Sequence, residues 1–473
     1  MGMYFEKANS PHESVRKESI NHLTDVFNAA LKRVDPYKII IDHVSLKGNV
    51  LVFEYGDSFF KVNLEKYKQI MVLGAGKAGF PMAKALEDVL QNRIGIGFIA
   101  VKEGYAGKLT YVDIMECGHP IPNNASINAA KRVEAIAQSA DENTLIINLL
   151  SGGGSSILAN PIDYFSNNGS EIIQLTLEDI QITTRRLLEC GATINEINCI
   201  RKHLSKIKGG RLAEIMYPAD SINLILSDVV GDRLDTIASG LTAPDNTTYK
   251  QAIELLNTYD IADEIPEKVL RILQLGMEGV IPETPKADSV VFSNLKNVLI
   301  GTNRQSLFAA QKKAKALGYN TLILSSQITG EAKEVAKVFL GIAKEIKQTG
   351  VPLSPPALII AGGETTVTIQ GNGKGGRNQE MALSFLLEIA ELSELEEGMY
   401  FLSGATDGTD GPTDAAGAFA DKETAVYAEK SGLSIRQYLQ NNDAYGFFSK
   451  LGGLLKTGAT HTNVCDIQLL IIR

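Results

Sequence analysis

From Gln69 onward the sequence alternates short apolar runs with segments of helical periodicity, and few folds satisfy that order. QIMVL, GIGFIAV, LTYVDIM, TLIINLL and INLILSD are runs of strand length, with helices expected through Met82 and Leu86 and over about 124–140. The stretch GVIPETPKADS is polar and proline-bearing, and reads as a boundary. Alternation then resumes with NVLIGT, TLILSS, ALIIAGG, MYFLSG and VCDIQLLIIR, and helices are expected from about Asn303, from about Gly330 and after Arg377. Consecutive parallel strands need crossover connections, so this order predicts an α/β fold, a mainly parallel sheet with helices on both faces. A chain of 473 residues exceeds one core, so two α/β domains are expected, with a cleft between them as the default ligand site. Ahead of the alternation, residues 11–34 space Leu23, Phe27, Ala30 and Val34 as a packing helix stopped by Pro36. YKIIIDHV and NVLVFEY read as strands joined by a turn at Lys47-Gly48-Asn49.

Composition removes several classes of function. The formal net charge of -9 argues against a nucleic-acid binder, because a phosphate backbone selects a basic face. No apolar run approaches the ~20 residues that span a bilayer, and MGMYFEK has no apolar signal core. The four cysteines show neither CxxC nor zinc spacing and are expected as reduced thiols. A cytoplasmic protein without membrane partner, monomeric or homodimeric, is the expectation.

In open α/β sheets ligands meet the loops at the carboxyl ends of strands, so the residues following each apolar run carry the chemistry. The first such loop, VLGAGKAGF, has the glycine spacing of a dinucleotide turn in Gly74, Gly76 and Gly79, with Lys77 inside it. A nicotinamide site would want an acid after the next strand, where Glu103 is a weak match. A Walker loop fails, because Ala78 follows the lysine. A tight packing turn and an anion site near Lys77 stay open beside the cofactor reading.

LLSGGGSS offers Ser151, Gly152, Gly153, Gly154 and Ser155, a nest of N–H donors suited to carboxylate or phosphate. Asp228 and Asp232 stand at and just past a strand end, where carboxylates hold Mg2+ or take a hydroxyl proton. Upstream, RKHLSKIKGGRLA is basic, and reads either as a solvated helix face or, through Lys202 or Arg211, as a hold for a substrate anion. In the second half, Glu364 follows ALIIAGG, and Gly375 and Gly376 lead into Arg377, Asn378 and Gln379 at a helix start, which favours phosphate. Asp407 and Asp410 lie in ATDGTDGPTD, and Asn463 precedes the last strand. Anion-cradling loops, cations and strand-end aspartates together suit phosphoryl transfer.

The ordered set GAGKAG, LLSGGGSS, RKHLSKIKGGRLA, SDVVGD…IASGLTAPD, GGETTVT…GKGGRNQE, ATDGTDGPTDAAGA and TGATHTNVCDI resembles the glycerate 2-kinase family, whose C-terminal part is the MOFRL domain. The resemblance implies an N-terminal Rossmann-like domain over 1–245, a connector over 246–290 and a smaller MOFRL-type α/β domain over 291–473. Residues 1–35 are expected as a helix docking on the other domain. It also implies ATP with Mg2+ as phosphoryl donor and D-glycerate as acceptor at its 2-hydroxyl. The family's glycine-loop lysine falls on Lys77, its aspartate pair on Asp228 and Asp232, and its GGRNQE arginine on Arg377. Where the family commonly has Pro, Asp and Pro, this chain has Val230, Arg233 and Leu241, and Arg233 would bring a positive charge beside the aspartates. Two rival readings are an NAD(P)H-dependent hydroxypyruvate reductase using Gly74–Gly79 and a non-catalytic nucleotide or sugar-acid binder.

Overall fold

The computed structural model describes residues 11–55, 58–166, 169, 171–391 and 398–473. The chain divides into two compact units, Pro36–Ile300 and Gly301–Arg473, the latter joined by the N-terminal segment through Asp35.

The unit Pro36–Ile300 begins with a small antiparallel sheet of β1 (Val44–Lys47), β2 (Val50–Tyr55) and β3 (Ser58–Asn63). The expected strand YKIIIDHV is mostly helical: Pro36–His43 is a helix burying Ile39 and Ile40, and only Val44 enters β1. Pro36 both ends one helix and opens the next, since its fixed φ suits a first helical turn.

The main sheet contains β4 (Gln69–Ala75), β5 (Ile96–Lys102), β6 (Asp113–Cys117), β7 (Thr144–Leu150), β10 (Asp220–Leu226) and β11 (Leu295–Gly301), in the order β11-β10-β7-β4-β5-β6. The short pair β8 (Asp163–Phe165) and β9 (Ile172–Gln174) lies outside it. β4, β5, β6, β7 and β10 pair in parallel. Every residue of β7 is buried, as expected of a parallel strand covered on both faces. Met71, Leu73, Phe98, Ile146 and Leu150 share a core with Ala129 and Val133 of the helix Asn124–Gln138.

Residues 246–290, expected as a connector, are helical. Tyr249–Thr258 and Glu267–Met277 bury Ala252, Leu256, Val269, Ile272 and Leu273 with Ile197 and Ile200 of the helix Ile194–His203. That apolar spacing is the face of two packed helices rather than of a linker. β11 then completes the first sheet, so the division falls at Gly301 and not at 291.

In the other unit, β12 (Asn320–Ile323), β13 (Ala357–Gly363), β14 (Met399–Ala405), β15 (Gly417–Asp421), β16 (Leu454–Leu455) and β17 (Asp466–Ile472) form a sheet ordered β12-β13-β17-β14-β15-β16. Its final strand runs antiparallel between β13 and β14. The N-terminal helix Pro11–Arg33 belongs here: Leu23, Val26, Phe27 and Ala30 pack with Leu307, Leu402 and Leu469. Thr462 Oγ1 donates to the Val34 carbonyl at 2.7 Å. None of the four cysteines forms a disulfide. Among the described residues, no helix is long and apolar enough to cross a membrane.

Candidate functional site

In the first sheet, β5 and β6 lie on one side of β4, whereas β7, β10 and β11 lie on the other. The carboxyl ends of β4 and β7 therefore mark the switch point where such sheets take ligands. The two loops leaving them interlock. Lys77 N–H donates to the Gly152 carbonyl at 2.8 Å, and Ser151 N–H to the Ala75 carbonyl at 3.0 Å. Ala78 N–H donates to Ser151 Oγ, also at 3.0 Å. Gly76 is left-handed, with φ of 131°, and a Cβ there would collide with Ser151 Oγ. Gly76 thus serves contact with the second loop, while Gly74 packs on Leu149 and Ile99 and Gly79 on Val101, so close packing accounts for the spacing without a cofactor. Gly152 in turn backs directly onto the Asp228 carboxylate, leaving no room for a side chain. The N–H groups of Gly152 and Gly153 find no acceptor among the described residues. Lys77, the Ser151–Gly154 nest and Asp228 are thereby brought to one place.

A cavity of about 600 Å³ adjoins these loops. Its polar lining includes His119, Ser155, Arg201, Lys208 and Asp228, and its apolar lining includes Ile121, Ile180, Leu188 and Leu204. Lys208 is buried, its Nζ donating to the Ser155 carbonyl at 2.6 Å. Burial, reinforced by the charge of Arg201, pushes the Lys208 ammonium down to about 7. Burial also lowers the Arg201 guanidinium. Among the described residues, neither forms an ion pair.

The other cations of this basic stretch do have internal partners. Lys202, 3% exposed, lies 3.3 Å from Asp245 and 3.6 Å from Asp235. His203 Nε2 is 2.8 Å from Glu283, and Lys206 is 2.8 Å from Asp163. Arg211 donates to Tyr249 Oη at 2.9 Å and to the Pro282 carbonyl at 3.0 Å. Lys202 and Arg211, expected to hold the substrate anion, therefore fasten the fold, and Arg201 and Lys208 line the cavity instead. Helix phase is the reason. One residue along a helix turns the side chain by about 100°, so Arg201 and Lys202 face different surroundings.

Asp228 follows β10 by two positions, and Asp232 occupies the same turn at a φ of 55°. Burial raises the Asp232 carboxyl, opposed by a hydrogen bond from Ser227. Arg233 does not place its charge on these aspartates. Its Nη2 lies 2.8 Å and its Nε 3.2 Å from Asp235, and its Nη1 reaches Asn195 at 3.3 Å. Among the described residues, no three or more His, Cys, Asp or Glu side chains converge as a metal site. Asp228 and Asp232 fit the sparser mode usual for Mg2+, one or two carboxylates completed by water and substrate phosphates.

The remaining candidates lie in the other unit. Register sets Asp466 opposite Gly363 on β13 and Ala405 on β14, so the Glu364 and Asp407 loops flank it. Arg377 grips Asp466 with two nitrogens, Nε at 2.6 Å and Nη2 at 3.0 Å, while Nη1 lies 3.0 Å from Glu364. Burial alone would lower the arginine, but these carboxylates raise it further out of reach of deprotonation. The helix start expected to bind phosphate is already occupied. Asp410 accepts the N–H groups of Asn378 and Gln379 at 3.1 and 2.8 Å. Burial pushes the Asp410 carboxyl up to about 6 despite those donors. Asn378 and Gln379 are fully buried, bonded to Ser403 and Thr413. These three residues cap and fix the helix Arg377–Ala390, and Gly375 and Gly376 form the loop ahead of it. Asp407 accepts Thr409 N–H at 3.1 Å, and Asn463 accepts Cys465 N–H at 3.1 Å.

Compared with known families, residues 22–274 match the domain of unknown function DUF4147 and residues 357–466 match the MOFRL family. A glycerate 2-kinase of Pyrococcus horikoshii is 40% identical, covering 94% of this chain and 95% of its own. The crystal structure of a glycerate kinase from Thermotoga maritima superposes with a TM-score of 0.80 at 37% identity, covering 98% of this chain and all of the other. A relative in Agrobacterium vitis, 37% identical over 85% of this chain and 87% of its own, bears the provisional name hydroxypyruvate reductase.

Proposed function

Because the chain belongs to the glycerate 2-kinase family, we propose that it transfers the γ-phosphate of ATP to the 2-hydroxyl of D-glycerate, giving 2-phospho-D-glycerate and ADP. The observation that carries this reading is the convergence of the Lys77 loop, the Ser151–Gly154 nest and Asp228 at the switch point of the parallel sheet. The nest presents backbone N–H donors to an anion, and Lys77 supplies charge to the phosphoryl group in transfer. Asp228 and Asp232 are the residues that would hold Mg2+, which when bound spreads the negative charge of the phosphates. Whichever of the two carries no metal is available to take the 2-hydroxyl proton, and the raised carboxyl of Asp232 suits that role. Arg377 is a second candidate cation, its guanidinium held in one orientation by Asp466 and Glu364.

The reductase reading finds less support. Of the glycines that would admit a nicotinamide cofactor, Gly76 is packed against Ser151 and Gly74 against Leu149 and Ile99, and Glu103 is engaged by Asn123 Nδ2 at 3.1 Å. Incubation with ATP and D-glycerate followed by phosphorus NMR, run beside NADH oxidation with hydroxypyruvate, tests the proposal. A new phosphomonoester on C2 supports it. NADH loss without that product, or binding without turnover, overturns it.

A further inference from the structure

An acidic protein that buries one cation and half-buries another, with no ion-paired acid on either among the described residues, has left them for something else. Arg201 and Lys208 are in that position, while Lys202, His203, Lys206 and Arg211 around them are all engaged. Holding desolvated charge without a counter-ion is costly, and the ordinary remedy is an anion supplied from outside. The depressed Lys208 ammonium reports the same deficit.

The two cations are built into the glycine nest. Lys208 Nζ holds the Ser155 carbonyl, and Ser155 Oγ meets Ser239 Oγ at 2.7 Å. Ser239 in turn donates to Asn198 Oδ1 at 3.1 Å, on the same helix as Arg201. The nest, the lysine and the arginine-bearing helix thus form one hydrogen-bonded assembly. The cavity's remaining walls combine Ile121, Ile180 and Leu204 with the polar side chains of His119, Gln181, Thr184 and Arg185. A carboxylate matches this pair, because its planar two-oxygen head suits a guanidinium fork and its charge answers the lysine.

We infer that Arg201 and Lys208 are specificity-determining residues that clamp the substrate carboxylate, so the enzyme selects 2-hydroxy acids over neutral polyols by charge. This rests on the kinase reading for the identity of the acid, but the clamp is testable without turnover.

The test uses the full chain and three variants, Arg201→Gln, Arg201→Lys and Lys208→Met. D-glycerate binding is measured by calorimetry without ATP, and phosphorylation of D-glycerate is compared with that of its neutral isostere D-glyceramide. Losing one side of a buried charge pair predicts a rise of about 10²-fold in Kd and KM for D-glycerate in Arg201→Gln. D-glyceramide turnover should stay within a few-fold, so the preference for acid over amide collapses. Arg201→Lys should recover part of the binding, and Lys208→Met should weaken binding in the same direction. Melting curves establish that each variant is folded, and if Arg201→Gln is not, the other two carry the comparison. Unchanged D-glycerate affinity in the folded variants, or an unchanged acid-to-amide ratio, overturns the clamp. Should the parent chain phosphorylate neither compound, the kinase reading fails, while calorimetry still decides whether Arg201 anchors the acid.

Discussion

Replacing Arg377 by alanine separates two roles that sequence reasoning merges. Read from the sequence, the arginine is a cation at a helix start that favours phosphate. In the structure it is also the counter-ion of Asp466, a carboxylate that is 0% exposed and held at 2.6 and 3.0 Å. Truncating one partner of a buried pair leaves the other charged and desolvated, at about 3–5 kcal/mol. Arg377 keeps 31% of its side chain exposed, so the low end, about 3 kcal/mol, is the working figure. At about 2–4 °C per kcal/mol for a unit of this size, melting of the C-terminal unit should fall by about 6–12 °C. The loss depends on pH in a defined sense. Burial already raises Asp466 above the usual carboxylate range, and without the arginine it rises further. The destabilisation is therefore full at neutral and higher pH, and shrinks as acid protonates Asp466 in the folded state. Adding Asp466→Asn to Arg377→Ala removes the stranded charge and should restore most of the melting temperature. Turnover should stay at the level of the single variant if the arginine also serves the phosphoryl group. Differential scanning calorimetry with steady-state kinetics reads both. A single variant melting within about 1 °C of the parent would refute the argument, as would a double variant no more stable than the single.

Three further outcomes follow from the other unit. Gly152→Ala forces the Asp228 carboxylate to move, so D-glycerate turnover should drop by about 10²-fold with only a few degrees lost in melting, measured by kinetics and calorimetry. D-glycerate binding near pH 7 should take up a proton, because a bound carboxylate draws Lys208 upward from about 7. Calorimetry in buffers of different ionisation enthalpy detects this uptake, and Lys208→Met should abolish it although Arg201, Arg185, His119 and Asp228 line the same cavity. Glu283→Gln should cost about 1–2 kcal/mol at neutral pH, read by denaturant titration, since the side chain is partly exposed and its ion pair partly screened. Burial opposes ionisation there, but His203 and two backbone N–H groups hold the carboxyl down at about 2. The stabilisation is thus present above the usual carboxylate range and is lost as pH falls from there toward 2.

The main sheet is legible because its strands announce themselves. TLIINLL and INLILSD are nearly continuous apolar runs with one asparagine inside each, and a strand covered on both faces asks for that. The loops after them are legible for the same reason, since a strand end fixes where a ligand can sit. Side-chain roles within those loops are not legible, because partner choice is made by distant residues. Asp410 caps a helix more than thirty positions before it, and nothing near GGRNQE signals that its N–H groups are taken. Asp466 comes beside Arg377 only because β17 inserts antiparallel between β13 and β14, a topology that a run of apolar residues does not encode. Arg201 and Lys202 are neighbours of one charge in sequence, and helix phase alone sends them to different surroundings.

Both glycine loops then acquire a meaning that neither has alone. Gly76 lets the Lys77 loop lie against Ser151, and Gly152 lets the nest lie against Asp228. The backbones of the lysine loop and the nest are fixed by direct contact and the nest packs on the Asp228 carboxylate, so the loops need little further ordering when substrate arrives. That arrangement lowers the entropy lost on reaching a reactive geometry. The cation clamp extends the logic to the substrate's far end, because Lys208 ties the same nest through the Ser155 carbonyl. A carboxylate held there presents its neighbouring 2-hydroxyl at a fixed distance from a rigid loop. Selection of the acid and alignment of the hydroxyl are consequently two results of one set of hydrogen bonds, and a change to either should disturb both.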